Sequence, residues 1–184
     1  MIGDRWGVTD AEVARRYPCD DIVRTPALEA WRGVTVRAPA DRVWPWVGQI
    51  RLAPYSYDWI DNLGRRSPRE LRGLPEPRVG EPFTAAFDGR PAGRILSVEP
   101  GVQLTGTIMG TVMSYVLVPL PDGGGTRLLL KLTASGRQAV APLLCMGDLA
   151  MARRQLRTLA RLAEAAPGPA TPPDHDGGDQ RGQR

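Results

Sequence analysis

The chain has 184 residues, of which 42% are hydrophobic and 24% are charged, and its formal net charge is +4. This length and composition are typical of one folded domain with a single core, and they exclude a disordered chain. The most apolar run, residues 139–152, is too short to span a bilayer and contains Asp148, so no transmembrane segment is expected.

The N-terminal residues predict a cytoplasmic protein. Asp4, Arg5, Asp10 and Glu12 occupy this stretch, which lacks the apolar segment of a secretory signal. Arginines supply almost all of the positive charge, and they are dispersed along the chain instead of being clustered with aromatic residues. A nucleic-acid partner is therefore not expected.

The positions of cysteine and histidine argue against metal and redox chemistry. Cys19 and Cys145 lie far apart, without CxxC spacing or a nearby histidine, so we expect two reduced thiols and no metal site. The only histidine, His175, lies in residues 167–184, a tail without large apolar side chains that is predicted to be disordered. The commonest general base is thus missing from the predicted folded domain. No phosphate-binding glycine pattern follows a predicted strand, so no cofactor is expected.

Residues 1–28 are predicted to form an N-terminal extension that packs on the main domain. Thr9 and Glu12 have the spacing of a capping box, which predicts a short helix over residues 10–16. Four apolar residues are expected to hold this extension against the domain: Trp6, Val13, Tyr17 and Ile22.

The main domain, residues 29–166, is predicted to begin with a strand over 30–38. Pro39 then suits the first turn of a helix that carries Val43, Trp44 and Val47 at helical spacing, and Pro45 should kink or shorten it. A second short helix is predicted around residues 57–63, followed by a mobile loop through about residue 78.

Strand patterns dominate residues 79–135, where turn signals divide the chain into a meander of five strands. In the last of these strands Leu128, Leu130 and Leu132 share one face, and residues 111–120 are its expected hairpin partner. The strand over 102–109 is ambiguous, since one face carries Leu104 and Ile108 and the other carries polar residues. Either face could point inward.

A long helix is predicted over residues 139–166. Its apolar stripe, which suits packing on a sheet, consists of Leu149, Ala152, Leu156, Leu159, Ala160 and Ala163. Arginines at 153, 154, 157 and 161 cluster on another side. This basic face leaves open a weaker alternative, an interaction module for an acidic partner.

The order of strand, two short helices, antiparallel meander and long C-terminal helix resembles the helix-grip fold of the START-like superfamily, also called SRPBCC or polyketide cyclase/dehydrase-like proteins. The stretch VTVRAPADRVWPWVGQI is similar to the opening strand and helix of that superfamily, and YSYDWIDN and WGVTDAEV are similar to segments of one bacterial subgroup. The resemblance implies an α+β fold in which a curved antiparallel sheet of about six strands wraps around the C-terminal helix.

The same resemblance implies an internal cavity between sheet and helix that binds an apolar or aromatic small molecule, lipid-like or polyketide-like. Residues expected at this cavity are Trp46, Tyr55, Tyr57, Asp58, Thr105, Thr107, Tyr115, Asp148, Leu149, Ala152 and Leu156. We expect a carrier or sensor, because no catalytic set is evident. The alternative is a cofactor-independent cyclase or dehydratase that uses the same cavity.

Overall fold

The computed structural model describes residues 4–56, 66–86, 90–135 and 142–166, with only the backbone for 86 and 142–150. The predicted second helix around 57–63 and the predicted tail lie outside these residues. The N-terminal part contains the short strand β1 (Arg5–Trp6) and the helices α1 (Asp10–Ala14) and α2 (Pro18–Ile22). The Thr9 and Glu12 capping box is present at the start of α1, as predicted.

The remaining elements follow in one run along the chain. They are β2 (Leu28–Val36), α3 (Ala40–Gly48), a 3-10 turn (Gln49–Arg51), β3 (Thr84–Ala86), β4 (Arg90–Ala92), β5 (Arg94–Glu99), β6 (Gln103–Ile108), β7 (Thr111–Pro119), β8 (Thr126–Ala134) and α4 (Pro142–Ala165). Pro45 lies inside α3 without ending it, and the 3-10 turn continues directly from the last residue of the helix.

The fold is α+β, with a six-stranded mixed sheet in the order β1-β2-β8-β7-β6-β5. A purely antiparallel sheet was predicted. That prediction is wrong at one edge of the sheet, because β1 pairs with β2 in parallel. A two-residue strand has no alternation for a sequence pattern to reveal. The predicted five-strand meander also differs, since β3 and β4 form a separate two-stranded sheet. Each has three residues, which is too short for a period-two signal.

Side chains on the two faces of the main sheet enter two different cores. Leu128, Leu130 and Leu132 join Leu104 and Tyr115 in a large buried cluster with residues of α3 and α4. This confirms the predicted face of β8, and β7 is its antiparallel partner as expected. The opposite face belongs to a smaller cluster with Tyr17 and Cys19 of the N-terminal extension.

We call the sheet face that contacts α3 and α4 the inner face and the face under the N-terminal extension the outer face. A buried lysine binds the N-terminal extension to the outer face. Lys131 Nζ lies 2.5 Å from Asp20 Oδ1 and 2.8 Å from Glu29 Oε1, and 4.9 Å from the ring centroid of Trp31. Burial by itself would lower the pKa of Lys131, but its hydrogen bonds to both carboxylates raise it. The cation is therefore held charged, and α2 is bound to the sheet through its first turn.

The predicted anchors of the extension behave differently from one another. Tyr17 is buried, and Val13 packs against the smaller cluster on the outer face of the sheet. Ile22 is 45% exposed and does not serve as an anchor. Trp6 instead reaches α4, where the guanidinium carbons of Arg153 and Arg157 lie 5.5 and 4.8 Å from its ring centroid. Part of the predicted arginine cluster is thus engaged within the chain.

No helix among the described residues is long and apolar enough to cross a membrane.

Candidate functional site

Helix α3 carries two tryptophans, and both belong to the large core cluster. Trp46 belongs to the large core cluster together with Val43 and Ile50, which lie three positions before it and four after. Trp44 also belongs to this cluster, on the side of the helix that faces Glu76, and its Nε1 donates to Glu76 Oε2 at 2.9 Å. That side forms a surface groove of about 260 Å³ between α3 and residues 71–77.

Polar side chains form two hydrogen-bonded pairs inside the large core, which meet at the adjacent residues Pro54 and Tyr55. Tyr115 of β7 donates from its hydroxyl to Gln155 Oε1 of α4 at 2.5 Å, and Gln155 Nε2 donates to the Pro54 carbonyl at 2.6 Å. Gln49 Nε2 donates to the Tyr55 hydroxyl at 2.6 Å. We call Gln49, Tyr55, Tyr115 and Gln155 the tyrosine–glutamine cluster. All four are buried.

The amides of this cluster also fix the loop segments around it. Gln49 Nε2 donates to the Glu70 carbonyl at 3.0 Å, and Gln49 Oε1 accepts from the Arg72 backbone N–H at 2.7 Å. Because each glutamine spans two segments, the cluster joins the sheet, α4, the end of α3 and the connection after residue 66. Side-chain amides neither gain nor lose a proton near neutral pH, so they orient the tyrosine hydroxyls without acting as general bases.

Tyr55 carries backbone strain at the centre of this arrangement. Its φ is 54°, in the left-handed region that a bulky residue rarely adopts. Such a conformation costs about 1–3 kcal/mol and persists only where the surroundings enforce it. Here the hydrogen bond from Gln49 and the contact of Gln155 with Pro54 hold the segment on both sides. Strain of this kind is typical of ligand-binding segments.

An aromatic ring occupies the sheet surface next to the cluster. The Phe83 ring lies over Gly106 of β6, where an added Cβ would come within 2.1 Å of the ring, so only glycine admits it. The ring centroid lies 6.2 Å from that of Tyr115 at an interplanar angle of 44°. The inner face of the sheet therefore holds a ring-sized site that Phe83 fills.

The structure brings together about half of the residues predicted for the cavity. Trp46, Tyr55, Tyr115, Ala152 and Leu156 all belong to the large core between the sheet, α3 and α4. Tyr57 and Asp58, and the side chains of Asp148 and Leu149, lie outside the described part of the chain.

Thr105 and Thr107 do not line the space between the sheet and α4. The Thr105 hydroxyl lies 2.8 Å from Ser114 Oγ, which accepts from the Cys19 backbone N–H under the N-terminal extension. Thr107 alternates with Gly106 and points away from the large core, where its hydroxyl donates to the Thr111 carbonyl. The reason is the register of β6, which turns Leu104 and Ile108 toward the large core.

Sequence reasoning missed Gln49, Gln155 and Phe83. Gln155 had a detectable signal, since it interrupts the apolar stripe of α4 between Ala152 and Leu156. Gln49 lies one helical turn after Trp46, which places it beside the buried face of α3. Phe83 lies in irregular chain before β3, where no periodicity could indicate its burial.

The cluster shows no sign of a metal centre. Across the described ranges, no group of three or more His, Cys, Asp or Glu side chains is close enough to hold a metal ion. On the other face of the sheet, burial raises the pKa of the Cys19 thiol, which therefore remains protonated and poorly reactive.

Comparison with known proteins supports the fold alone. No model of a protein family matches the chain, and no curated protein matches it. A Bacillus halodurans protein solved in solution aligns with a TM-score of 0.51 at 12% identity, over 76% of this chain and 99% of its own.

Two further solved structures are more distant in shape. A Chromobacterium violaceum protein gives a TM-score of 0.46 at 24% identity, over 76% of this chain and 99% of its own. An Arthrobacter aurescens protein gives 0.49 at 18% identity, over 82% and 92%. Neither likeness is close enough to support a conclusion.

Proposed function

We propose that this chain is a START-like protein of the helix-grip type that binds an apolar or aromatic small molecule reversibly, as a carrier or sensor. The observation that carries the proposal is the tyrosine–glutamine cluster, two buried hydrogen-bonded pairs that meet at Pro54 and Tyr55 inside an otherwise apolar core. Polar groups buried in this way cost free energy unless each is satisfied. An apolar wall with a few converging polar groups is the usual composition of a small-molecule site.

The location of the cluster supports the same function. It lies where α3, β7 and α4 meet, between the sheet and the C-terminal helix, which is where the START-like resemblance implies a ligand. The cluster includes the strained Tyr55, and Gln49 binds the backbone of the loop residues Glu70 and Arg72 to it. A segment held under strain can change conformation when a ligand supplies new contacts.

In this proposal the ligand enters the core by displacing the Phe83 ring. That ring rests on Gly106 beside Tyr115 and is held by packing alone, and the residue belongs to irregular chain before β3. A ligand ring that replaces the Phe83 ring would keep the same stacking contacts. The site therefore suits a molecule with at least one planar apolar ring.

Reversible binding fits the cluster better than cyclase or dehydratase chemistry. Both of those reactions require a group that moves a proton at the substrate. The contacts of the Tyr55 and Tyr115 hydroxyls to glutamine amides orient the hydroxyls and do not activate them. Orientation of a ligand is the role that such contacts perform.

Two matched variants test the proposal. Protein purified from its native host is examined by native mass spectrometry before and after organic extraction, and the extracted compound is returned in a thermal-shift titration. Ligand at about 100 times its dissociation constant should add about 2.7 kcal/mol to the free energy of unfolding. Gln155→Leu should abolish this gain, because Gln155 holds the cluster together.

Gln103→Leu is the control for that variant. Gln103 is also buried with two side-chain hydrogen bonds, to Ser97 and Thr105, but on the outer face of the sheet. It should lose stability and keep the full ligand response. An equal ligand response in both variants, or no bound mass and no thermal shift with lipid and polyketide panels, contradicts the proposal.

A further inference from the structure

The indole N–H of Trp46 is a buried donor that finds no acceptor among the described residues. Its Nε1 is inaccessible to solvent and has no hydrogen-bond partner in the part of the chain that the structure describes, and the whole side chain is only 3% exposed. Trp44, two residues earlier on the same helix, donates to Glu76. Cores pair nearly all such groups, so an unpaired one calls for an explanation.

The position of Trp46 connects this donor to the tyrosine–glutamine cluster. Trp46 lies one helical turn before Gln49 and belongs to the same buried cluster as Tyr115 and Leu156. The Gln49 and Gln155 amides are already engaged with the tyrosines and with backbone groups. Trp46 therefore offers a donor to an incoming molecule without first breaking a hydrogen bond.

Trp31 shows the contrast. Its indole N–H likewise has no partner among the described residues, but its ring lies on the other face of the sheet, with Lys131 Nζ 4.9 Å from the ring centroid. The Trp31 donor therefore lies in the smaller cluster with Tyr17 and Cys19, away from the tyrosine–glutamine cluster. No comparable contact occupies Trp46 in the described part of the chain.

We propose that Trp46 is a specificity-determining residue, whose indole N–H donates to a carbonyl oxygen of the bound ligand. This inference rests on the proposed function and narrows the ligand class to neutral aromatic carbonyl compounds. Indole is a donor only, so it requires an acceptor on the ligand. A neutral acceptor fits, because a buried carboxylate would need a cation beside it.

The test compares two probes of nearly equal shape, acetylnaphthalene and ethylnaphthalene, which differ by one carbonyl oxygen. Dissociation constants are measured by calorimetry for the wild-type protein, Trp46→Phe and the control Trp44→Phe. The wild type should bind the ketone about fivefold more tightly than the hydrocarbon, which corresponds to one net hydrogen bond. Trp46→Phe should reduce this ratio to about one while its affinity for ethylnaphthalene changes less than about twofold. Trp44→Phe should keep the wild-type ratio.

An NMR measurement separates a direct contact from a change in packing. The indole N–H signal of Trp46, assigned by its loss in Trp46→Phe, should move downfield with acetylnaphthalene and not with ethylnaphthalene. Equal affinity for both probes in the wild type, or an unchanged ratio in Trp46→Phe, overturns the inference and leaves reversible binding intact. If neither probe nor the extracted compound binds, the proposed function fails, and the inference fails with it.

Discussion

Replacing Gly106 by alanine tests whether the Phe83 ring occupies the inner face of the sheet. The new Cβ would lie 2.1 Å from a Phe83 ring carbon, so the ring or the strand must move. Overpacking of this kind costs about 1–3 kcal/mol, and the reduced entropy of the unfolded chain offsets about 0.4–1 kcal/mol. We expect Gly106→Ala to lower the free energy of unfolding by about 1–2 kcal/mol.

Urea unfolding measures this loss, and Gly124→Ala is the matched control. A Cβ at Gly124 would come no closer than 3.8 Å to a neighbouring atom, an ordinary contact, so this variant should be as stable as the wild type or slightly more stable. Adding Phe83→Leu to Gly106→Ala should recover part of the loss, because leucine can turn away from the strand. The placement of Phe83 is refuted if Gly106→Ala and Gly124→Ala unfold at the same urea concentration.

Three further outcomes follow from the hydrogen bonds and charges. Tyr115→Phe and Gln155→Leu should couple by about 1 kcal/mol in a double-mutant cycle monitored by urea unfolding, whereas additivity within about 0.3 kcal/mol would show that the two side chains do not interact. The pKa of Lys131 is raised in the folded state, so its stabilisation is present below the unfolded pKa of 10.5 and is lost as pH rises through the folded pKa. Thermal unfolding in alkaline solution should show this loss in the wild type and less of it in Lys131→Met; equal slopes would contradict it. Burial by itself would raise the pKa of Glu12, but its hydrogen bonds to Arg127 and Thr9 lower it, so its stabilisation is present above 4.5 and is lost as pH falls. Glu12→Gln keeps the capping-box geometry and should flatten the acid limb of the unfolding curve, and an unchanged acid limb would refute the ion pair.

The sequence predicted the elements whose burial is one-sided and periodic. Leu128, Leu130 and Leu132 alternate with more polar residues, and the structure places them in the large core. The stripe of α4 from Ala152 to Ala163 is buried as expected, because a helix packed on a sheet needs one apolar face.

The register of β6 could not be predicted, because both of its faces are covered. Leu104 faces the large core and Thr105 is buried under the N-terminal extension, so alternation alone does not reveal which face meets α4. The sequence predicts that the extension packs on the domain. It does not predict that the extension covers polar side chains of the sheet. That burial depends on the hydrogen bond from Cys19 to Ser114, a contact across 95 residues.

The candidate site was predicted only in its aromatic members. Tyr55 and Tyr115 are both among the residues that the sequence predicts at the cavity. Their glutamine partners come from separate segments that meet only in the folded chain, and glutamine has no pattern that distinguishes a buried amide from a solvated one. The Phe83 ring can lie on β6 only because Gly106 has no side chain. Nothing in the sequence distinguishes Gly106 from any other glycine in a strand.

The most direct test of ligand binding at the tyrosine–glutamine cluster is the measurement of intermolecular nuclear Overhauser effects between a bound ligand and assigned side chains. The extracted compound, or acetylnaphthalene if none is extracted, should show contacts to the Tyr115 ring, Trp46 and the Leu156 methyl groups. Contacts confined to Leu71 and Leu74, which line the surface groove beside α3, would place the ligand outside the core and contradict the account.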